Sequence, residues 1–478
     1  MAFTDRLHNR GSISTGYDIE NSLKFEPDNS EYLKSNGTHA YTSPTSNQKG
    51  TVSFWIKRTE IGNGVSGKQM YIFASSDSSR YSNLGFDEFD NLTVFSGDSS
   101  WNSVSPYTYN KFRDTSAWFH IVIRYDTTDS TASNRLRVYS NGTEVSWVTA
   151  PNITQDGVMT YSGMNGPCWH SWGTIYSYFT PAKFFSGYLA EAHFVDGQSL
   201  APTEFGEVDD DSGIWKPKEY DGTYGNCGYY LDFADSGNLG DDESGNGFDF
   251  DENNIAAADQ ATDTPTNNFA TMTEAWAYAS QLEVRWGGTL TTTNTAAWSG
   301  AKSTIGVNKG KWYWEIRWND TISTYTGIQT QGEDNISASG SAAHSRNTSL
   351  SIGAGSKYRT YINGTDTLYT SQPSGNISTG EVTGFALDLD SGTKTLKLIR
   401  SGSVVQTYTL TDSLATEYVF PFCSTYAQTL VWNLGGFFHY TLSSAETDAN
   451  GLGSFEFSPT IGGVNYYALC TKNLAEYG

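Results

Sequence analysis

Short segments with the pattern of β-strands recur along almost the whole chain, and this pattern limits the possible folds more than any other feature. The clearest example is the segment 311–318, KWYWEIRW, in which every second residue is large and apolar. Side chains alternate between the two faces of a strand, so one face of this segment carries four residues: Trp312, Trp314, Ile316 and Trp318. No long amphipathic helix and no heptad seam interrupts the series. The sequence therefore predicts an all-β protein.

Turn signals between the strand-type segments support this prediction. Asn141-Gly142 stands between two such segments and predicts a two-residue hairpin, since a type I′ turn needs positive φ at both central residues. Segment 183–196, KFFSGYLAEAHFVD, predicts a further strand with three alternating residues on one face: Leu189, Glu191 and His193. The 48 glycines and the many Asn, Ser and Thr residues fit frequent turns.

The length of 478 residues is well accommodated by two β-sandwich domains. We predict two tandem antiparallel jelly-roll sandwiches, over residues 21–205 and 271–478. Residues 1–20 are polar and lack a clear period, so we expect an N-terminal arm there. An acidic, Gly-rich connector is predicted over residues 206–270, because sixteen acids against two lysines give residues 207–263 a net charge of −14.

The net charge of the whole chain, −23, excludes some classes of partner. A field of this sign repels phosphate backbones and anionic membrane surfaces, so we expect neither nucleic acid nor membrane as a partner. No apolar run is long enough to span a bilayer, and the N-terminal residues lack the apolar core of a signal peptide. The four cysteines, at positions 168, 227, 423 and 470, form no CxxC pair and are expected to be buried free thiols.

One acidic loop is a candidate calcium site, although the chain is otherwise expected to need no cofactor. In segment 240–249, GDDESGNGFD, carboxylates and an amide stand on a Gly-rich loop, as a hard cation requires. The candidate ligands are Asp241, Asp242, Asn246 and Asp249. Their spacing differs from that of an EF-hand, and a solvated acidic turn explains the same residues.

Aromatic residues near strand ends are candidates for saccharide binding, because an aromatic ring packs against the apolar face of a pyranose. The candidates are Trp169, Trp172, Tyr176 and Tyr178 in the first predicted domain, and Tyr325, Tyr358 and Tyr426 in the second. Alternate residues of a strand face opposite sides, so some of the first group must point away from the core. Most aromatics at strand spacing are core residues, and this alternative stays open for each of them.

The sequence argues against an enzyme. Retaining glycosidases need two carboxylates about 5–5.5 Å apart. The best match is Glu88 and Asp90, which would share a face of a strand, but no third acid follows them. The histidines form no recognisable catalytic grouping.

Two parts of the chain resemble known β-sandwich families. Residues 21–205 resemble the concanavalin-A-like, laminin-G-type jelly roll through GTVSFWIKR, WFHIVIRYD followed by RLRVYSNGTEV, and FFSGYLAEAHFVDGQSLAPTEF. Residues 271–470 resemble SPRY domains through GKWYWEIRW, GEVTGFALDLDSGTKTLKLIRSG and EYVFPFCSTYAQTLVWNLG. In both parts the matching segments follow the order of the family.

The tandem arrangement with an acidic connector, LGDDESGNGFDFDENN, resembles structural proteins of marine tailed bacteriophages. This resemblance implies a virion protein of the tail-fibre or surface-appendage type that mediates assembly and contacts glycans of the host surface. It also implies a homo-oligomer, by analogy a trimer, whose arm contacts other virion proteins. The alternatives are a dedicated receptor-binding adhesin and a glycan depolymerase.

Overall fold

The computed structural model describes residues 16–35, 43–62, 64–76, 81–97, 103–104, 106–159, 169–177, 180–210, 212–273, 282–293, 298–319, 323–331, 349–354, 358–362, 365–369 and 376–478. The chain divides into two units, which we call the N-terminal unit (residues 14–266) and the C-terminal unit (residues 267–478). In each unit, antiparallel sheets pack around a core of that unit's own residues, so the predicted all-β fold of two jelly-roll sandwiches is confirmed.

In its described residues, the N-terminal unit contains twenty strands. These are β1 (Ser22–Phe25), β2 (Tyr32–Ser35), β3 (Lys49–Arg58), β4 (Met70–Ser76), β5 (Tyr81–Phe86), β6 (Asn91–Gly97), β7 (Ser103–Val104), β8 (Tyr107–Lys111), β9 (Phe119–Asp126), β10 (Leu136–Ser140), β11 (Thr143–Glu144), β12 (Trp169–Trp172), β13 (Ile175–Ser177), β14 (Thr180–Ala182), β15 (Gly187–Asp196), β16 (Gly206–Val208), β17 (Trp215–Pro217), β18 (Tyr229–Leu231), β19 (Phe250–Asn253) and β20 (Gln260–Ala261). Sheet A has the order β11-β10-β9-β3-β15-β1-β20, with β18 beside β15. Sheet B has the order β19-β2-β12-β4-β5-β6-β7, with β8 beside β6.

The core of the N-terminal unit lies between sheets A and B. Phe54 of β3 meets Trp172 of β12 edge to face, with ring centroids 5.4 Å apart, and Phe73 of β4 lies 4.7 Å from the same indole. All three side chains are fully buried. Each such side chain stabilises the folded state by about 1.5–3 kcal/mol relative to an exposed position. The predicted hairpin at Asn141-Gly142 is confirmed, because it joins β10 to β11 with positive φ at both residues.

Residues 206–266, predicted as most of a connector, supply strands to both sheets of the N-terminal unit. Strand β18 pairs with β15, β19 with β2, and β20 with β1. The acids of this segment also neutralise buried lysines: Asp259 lies 2.7 Å from Lys24, and Asp263 lies 2.6 Å from Lys57. Both lysine side chains are fully buried, and a buried ammonium is costly without a partner. The segment is therefore an integral part of this unit.

The β16–β17 hairpin of this segment covers the outer face of sheet A. Its Trp215 packs on Gly142 and stacks on His120, with ring centroids 5.9 Å apart and planes inclined by 18°. On the other side of the imidazole, Trp55 lies 4.9 Å away at the same inclination. His120 is thus held between two indoles, and desolvation, together with the nearby His193, lowers its pKa from 6.5 to about 3.

The described part of the C-terminal unit contains seventeen strands and two short α-helices. These are β21 (Met272–Thr273), β22 (Leu282–Arg285), β23 (Leu290–Thr293), β24 (Trp298–Ser303), β25 (Lys311–Trp318), β26 (Thr324–Thr330), β27 (Ser349–Ala354), β28 (Tyr358–Ile362), β29 (Thr365–Tyr369), β30 (Val382–Asp388), β31 (Thr395–Arg400), β32 (Ser403–Thr409), α1 (Asp412–Thr416), β33 (Val419–Tyr426), β34 (Thr429–Asn433), β35 (Thr460–Ile461), β36 (Val464–Asn465), β37 (Tyr467–Ala468) and α2 (Thr471–Tyr477). Sheet C has the order β21-β24-β33-β26-β27-β28-β29. Sheet D has the order β22-β23-β34-β25-β30-β31-β32, with β37 parallel to β25.

The core of the C-terminal unit confirms the alternation predicted for residues 311–318. The indoles and the isoleucine of β25 at positions 312, 314, 316 and 318 are fully buried in one cluster, with Ile328 and Cys423 of sheet C. The other face of β25 is also covered. There the buried carboxylate of Glu315 accepts hydrogen bonds from the backbone N–H groups of Glu456 and Phe457, both at 2.8 Å. Burial raises the pKa of this carboxyl to about 7.

Three of the four cysteines, at positions 227, 423 and 470, are buried free thiols, as the sequence predicted; Cys168 lies outside the described residues. Within the part of the chain that the structure describes, no helix is long and apolar enough to cross a membrane.

Candidate functional site

Three aromatic rings meet at one end of sheet C, on three neighbouring strands. Trp298 is the first residue of β24, Tyr426 is the last residue of β33, and Tyr325 is the second residue of β26. Trp298 and Tyr426 are direct partners in the antiparallel register. The ring centroid of Trp298 lies 5.7 Å from that of Tyr325 and 5.7 Å from that of Tyr426. We call these three residues the sheet C aromatic surface.

The side chains of this surface point away from the core. Ala301, Cys423 and Ile328, which lie an odd number of residues away on the same three strands, are fully buried in the core. Tyr426 is 36% exposed, while Trp298 and Tyr325 are half-buried.

The ring of Tyr325 is seated on a glycine of the neighbouring strand. A Cβ atom at Gly353 would lie 2.5 Å from Cε1 of Tyr325, so any larger residue would displace the ring. Aromatic rings fixed in this way present apolar faces at low cost in conformational entropy, which is how rigid aromatic residues act as binding anchors. The planes of the tyrosine rings are inclined to the indole by 47° and 56°, so the surface offers differently oriented faces.

Of the sequence-predicted binding residues, Tyr325 and Tyr426 are brought together, and Trp298 was missed. The pattern of β24 carried a signal for it, since Trp298 alternates with Gly300 and Lys302, as on an outward face. Tyr358 stands at the start of β28, and its side chain lies outside the described part.

The four candidates of the N-terminal unit do not form one site. Trp172 was a wrong choice, because it is fully buried in the core and its Nε1 donates to the hydroxyl of Tyr229 at 3.2 Å. Trp169 lies three positions before Trp172 and therefore on the opposite face of β12. It is half-buried on the outer side of sheet B, and the ammonium of Lys34 lies 5.9 Å from its ring centroid. The side chain of Tyr176 and the whole of Tyr178 lie outside the described residues.

The candidate calcium loop is organised by its own hydrogen bonds. The carboxylate of Asp242 accepts from the backbone N–H groups of Tyr230, Ser244 and Phe248, and the amide of Asn246 donates to the carbonyl of Gly228. Asp249 accepts from the N–H of Asp242. Among the described residues, no group of three or more His, Cys, Asp or Glu side chains is arranged to hold a metal ion, and residues 241–249 are all described. The arrangement of these side chains therefore gives calcium binding no support.

The carboxylate pair considered for glycoside hydrolysis lies in the β5–β6 turn and not on a strand. Asp90 is fully buried, and its carboxylate lies 3.0 Å from a guanidinium nitrogen of Arg58 and 2.8 Å from Nε of Arg113. Burial alone would raise its pKa, but the charge of Arg58, the N–H of Gly62 and Arg113 together lower it. A hydrogen bond from Gln69 lowers the pKa of Glu88 as well. A retaining glycosidase needs one carboxyl with a raised pKa as general acid, and this pair offers none.

A second group of titratable side chains lies around a bulge of β15. Glu191, at a bulge of β15 with φ of 52°, is buried and accepts hydrogen bonds from the hydroxyls of Tyr17 and Tyr230, both at 2.8 Å. His193 stacks on Tyr230 with centroids 4.4 Å apart. Burial and the charge of Glu191 raise the pKa of both phenols, which therefore stay protonated as donors. The bulge also changes the phase of β15, so that Ala192 faces the core and the predicted common face of residues 189, 191 and 193 is wrong.

Comparisons with known proteins find similarity only among solved structures, and the sequence identities there are low. No protein-family model and no curated protein matches the sequence. Among solved structures, the PSpry domain of TRIM65 is 15% identical and the alignment covers 32% of this chain and 83% of that one, with a TM-score of 0.27. The SPRY domain of human HERC1 is 12% identical over 34% of this chain and 96% of that one, also with a TM-score of 0.27.

A heptameric SAP-like pentraxin from Limulus polyphemus is 14% identical over 39% of this chain and 80% of that one, with a TM-score of 0.29. SPRY domains and pentraxins have concanavalin-A-like jelly-roll folds. The fold of this chain rests on its own sheets and cores, and the resemblance to virion proteins stays a prediction.

Proposed function

We propose that the chain is a non-enzymatic binding protein whose C-terminal unit binds saccharide at the sheet C aromatic surface. The observation that carries the proposal is the meeting of Trp298, Tyr325 and Tyr426 on the outer side of three adjacent strands. The rings are partly accessible, and apolar faces flanked by hydroxyls match the alternating C–H and O–H groups of a pyranose. All three side chains are uncharged, so the ligand class is a neutral hexose or N-acetylhexosamine.

The setting that we propose for this activity is a virion appendage of the tail-fibre type, in which the protein also mediates assembly. Support comes from the sequence resemblance to structural proteins of tailed bacteriophages, from the net negative charge of the chain and from its two β-sandwich units. The environment of Glu88 and Asp90 supports a non-enzymatic role. A dedicated receptor-binding adhesin would use the same surface and differs only in having no part in assembly.

The saccharide proposal is tested on an array of neutral hexose and N-acetylhexosamine oligosaccharides, followed by titration of the best ligand. Removing one stacked ring costs on the order of 1 kcal/mol, so we expect Trp298→Ala and Tyr426→Ala each to weaken binding by about five- to tenfold. Phe89→Ala is the matched control, because Phe89 is a 51% exposed aromatic residue in the other unit. Equal binding by the wild type and both variants at unchanged melting temperature would refute the proposal.

The proposed self-association is tested separately by light scattering after size exclusion. A mass near three times 52.5 kDa supports the trimer, and a mass of 52.5 kDa at micromolar concentration contradicts it.

A further inference from the structure

A second exposed aromatic surface lies on β8 of the N-terminal unit, and unlike the first it carries positive charge. Tyr107 is 36% exposed and Tyr109 is 65% exposed, which is the largest exposed fraction among the large apolar and aromatic side chains that the structure describes. Between them, Thr108 is fully buried. Lys111, two residues further along, is exposed. The exposed residues of β8 thus include two tyrosines and a lysine, beside the exposed Asn110, and we call Tyr107, Tyr109 and Lys111 the β8 surface.

The backbone beneath this surface is fixed on both sides. On one side β8 pairs with β6, with Tyr107 opposite Thr93 and Lys111 opposite Asn91, and the register shifts between these two pairs because β8 is irregular there. On the other side it pairs with the segment around Val148, where the N–H of Tyr109 donates to the carbonyl of Ser146 at 3.0 Å. The N–H of Val148 donates to the carbonyl of Tyr107 at 2.9 Å. The tyrosines are thus held on a hydrogen-bonded ribbon, so binding would not have to order the backbone.

The charge at this surface is opposite to that of the chain as a whole. Among the described residues, Lys111 has no ion-pair partner. Arg113 follows two residues later, and although its Nε donates to Asp90, its side chain is 42% exposed. Lys111 therefore brings a positive charge to the same exposed strand as the two phenol rings, in a chain of net charge −23.

The combination of groups defines the chemistry of a ligand. Flat phenol rings pack against sugar rings, and an ammonium forms a charge-assisted hydrogen bond with a carboxylate or sulfate. Repulsion from distant acids is screened beyond about 8–10 Å at physiological ionic strength. We propose that Tyr107, Tyr109 and Lys111 form a binding site for an acidic saccharide, distinct from the neutral-sugar surface of the C-terminal unit.

The test uses the full chain and hexameric oligogalacturonate as the probe, with neutral maltohexaose in parallel, by isothermal titration calorimetry. We expect oligogalacturonate to bind in low salt and to bind less tightly as salt is raised. Tyr109→Ala and Lys111→Ala should each weaken binding by about five- to tenfold, and Lys111→Arg should retain it, since the charge is kept.

Two controls separate this site from the sheet C aromatic surface. Trp298→Ala should leave oligogalacturonate binding unchanged, so failure of one proposal does not imply failure of the other. Lys309→Ala removes an exposed lysine of the other unit and should have no effect. Only variants whose melting temperature equals that of the wild type enter the comparison.

Three outcomes would overturn the proposal. The first is the absence of oligogalacturonate binding at millimolar concentration. The second is binding that Tyr109→Ala and Lys111→Ala leave unchanged. The third is a single-stranded oligonucleotide that binds more tightly than oligogalacturonate and loses binding in the same two variants, because the surface would then recognise stacked bases and phosphate.

Discussion

Acidification should destabilise the N-terminal unit through one buried histidine. His120 lies between the rings of Trp55 and Trp215 and is 1% exposed. Nε1 of Trp215 donates to its Nδ1 at 3.0 Å, and its Nε2 lies 2.8 Å from the hydroxyl of Ser53. Since Nδ1 accepts a hydrogen bond, the imidazole is neutral with its proton on Nε2. A second proton on the ring would sit on Nδ1 and point at the indole N–H, so that two hydrogen-bond donors would face each other.

The magnitude follows from the two pKa values of His120. In the folded unit burial lowers its pKa from 6.5 to about 3, whereas the unfolded chain keeps the ordinary value. Below pH 6.5 the unfolded state therefore binds a proton that the folded state does not, and the free energy of unfolding falls as the pH falls. Each pH unit in this window is worth about 1.4 kcal/mol. The loss is about 2 kcal/mol at pH 5 and approaches about 5 kcal/mol near pH 3.

The assay is urea unfolding at pH 7, 6, 5 and 4, with hydrogen exchange of peptides from β3 and β9 as the probe of this unit. Carboxylates also titrate in this range, so the test compares the wild type with His120→Gln, which cannot take up the proton. The variant should be less stable at pH 7. Between pH 5.5 and 4, its free energy of unfolding should fall by about 1.4 kcal/mol per pH unit less than that of the wild type. Equal slopes in the two proteins would refute the reasoning.

Three further changes test the packing. Asp263→Asn should cost about 3–5 kcal/mol in urea unfolding, because it leaves the buried ammonium of Lys57 without a countercharge. Gly142→Ala and Gly213→Ala impose similar backbone strain, with φ of 74° and 71°, but only at Gly142 would the new Cβ meet an indole, at 2.4 Å. Calorimetry should therefore show a lower melting temperature for Gly142→Ala than for Gly213→Ala. Equal melting temperatures of the two variants would contradict the packing of Trp215 on Gly142. Glu315→Gln should destabilise the C-terminal unit by about 3 kcal/mol, since an amide replaces a carboxylate oxygen that accepts backbone hydrogen bonds, and unchanged unfolding would show that these bonds contribute nothing.

The parts of the fold that sequence predicted are those with a local physical cause. The alternation around Trp314 fixes the core face of β25, because a one-residue shift would turn every indole away from this core. Asn141-Gly142 fixes its hairpin through positive φ. The role of residues 206–266 could not be predicted in this way. Its strands β18, β19 and β20 have two to four residues each, too few to show a period, and their partners lie far away in the sequence.

The candidate site was predicted in part for the same reason. Alternation requires that one residue of a strand faces out and its neighbour in, but it does not state which. Trp172 and Trp169 show the ambiguity, since they are three positions apart on one strand and only Trp172 is a core residue. Tyr325 and Tyr426 could be placed near strand ends, whereas their meeting with Trp298 depends on the order of strands in sheet C. The exposed pair on β8 was missed because a strand with tyrosine at every second position looks like a core strand.

The late strands of the N-terminal unit have a consequence for its synthesis. Ser22 of β1 pairs with Ala261 of β20, and β2 pairs with β19, so β1 and β2 leave the ribosome long before the strands that complete them. At about 5–20 residues per second, translation separates the synthesis of these partners by roughly tens of seconds. During that time Lys57 lacks the carboxylate of Asp263, Lys24 lacks that of Asp259, and the edge of sheet A stays open to other chains. A recombinant fragment that ends at residue 205 would remain in this unfinished state.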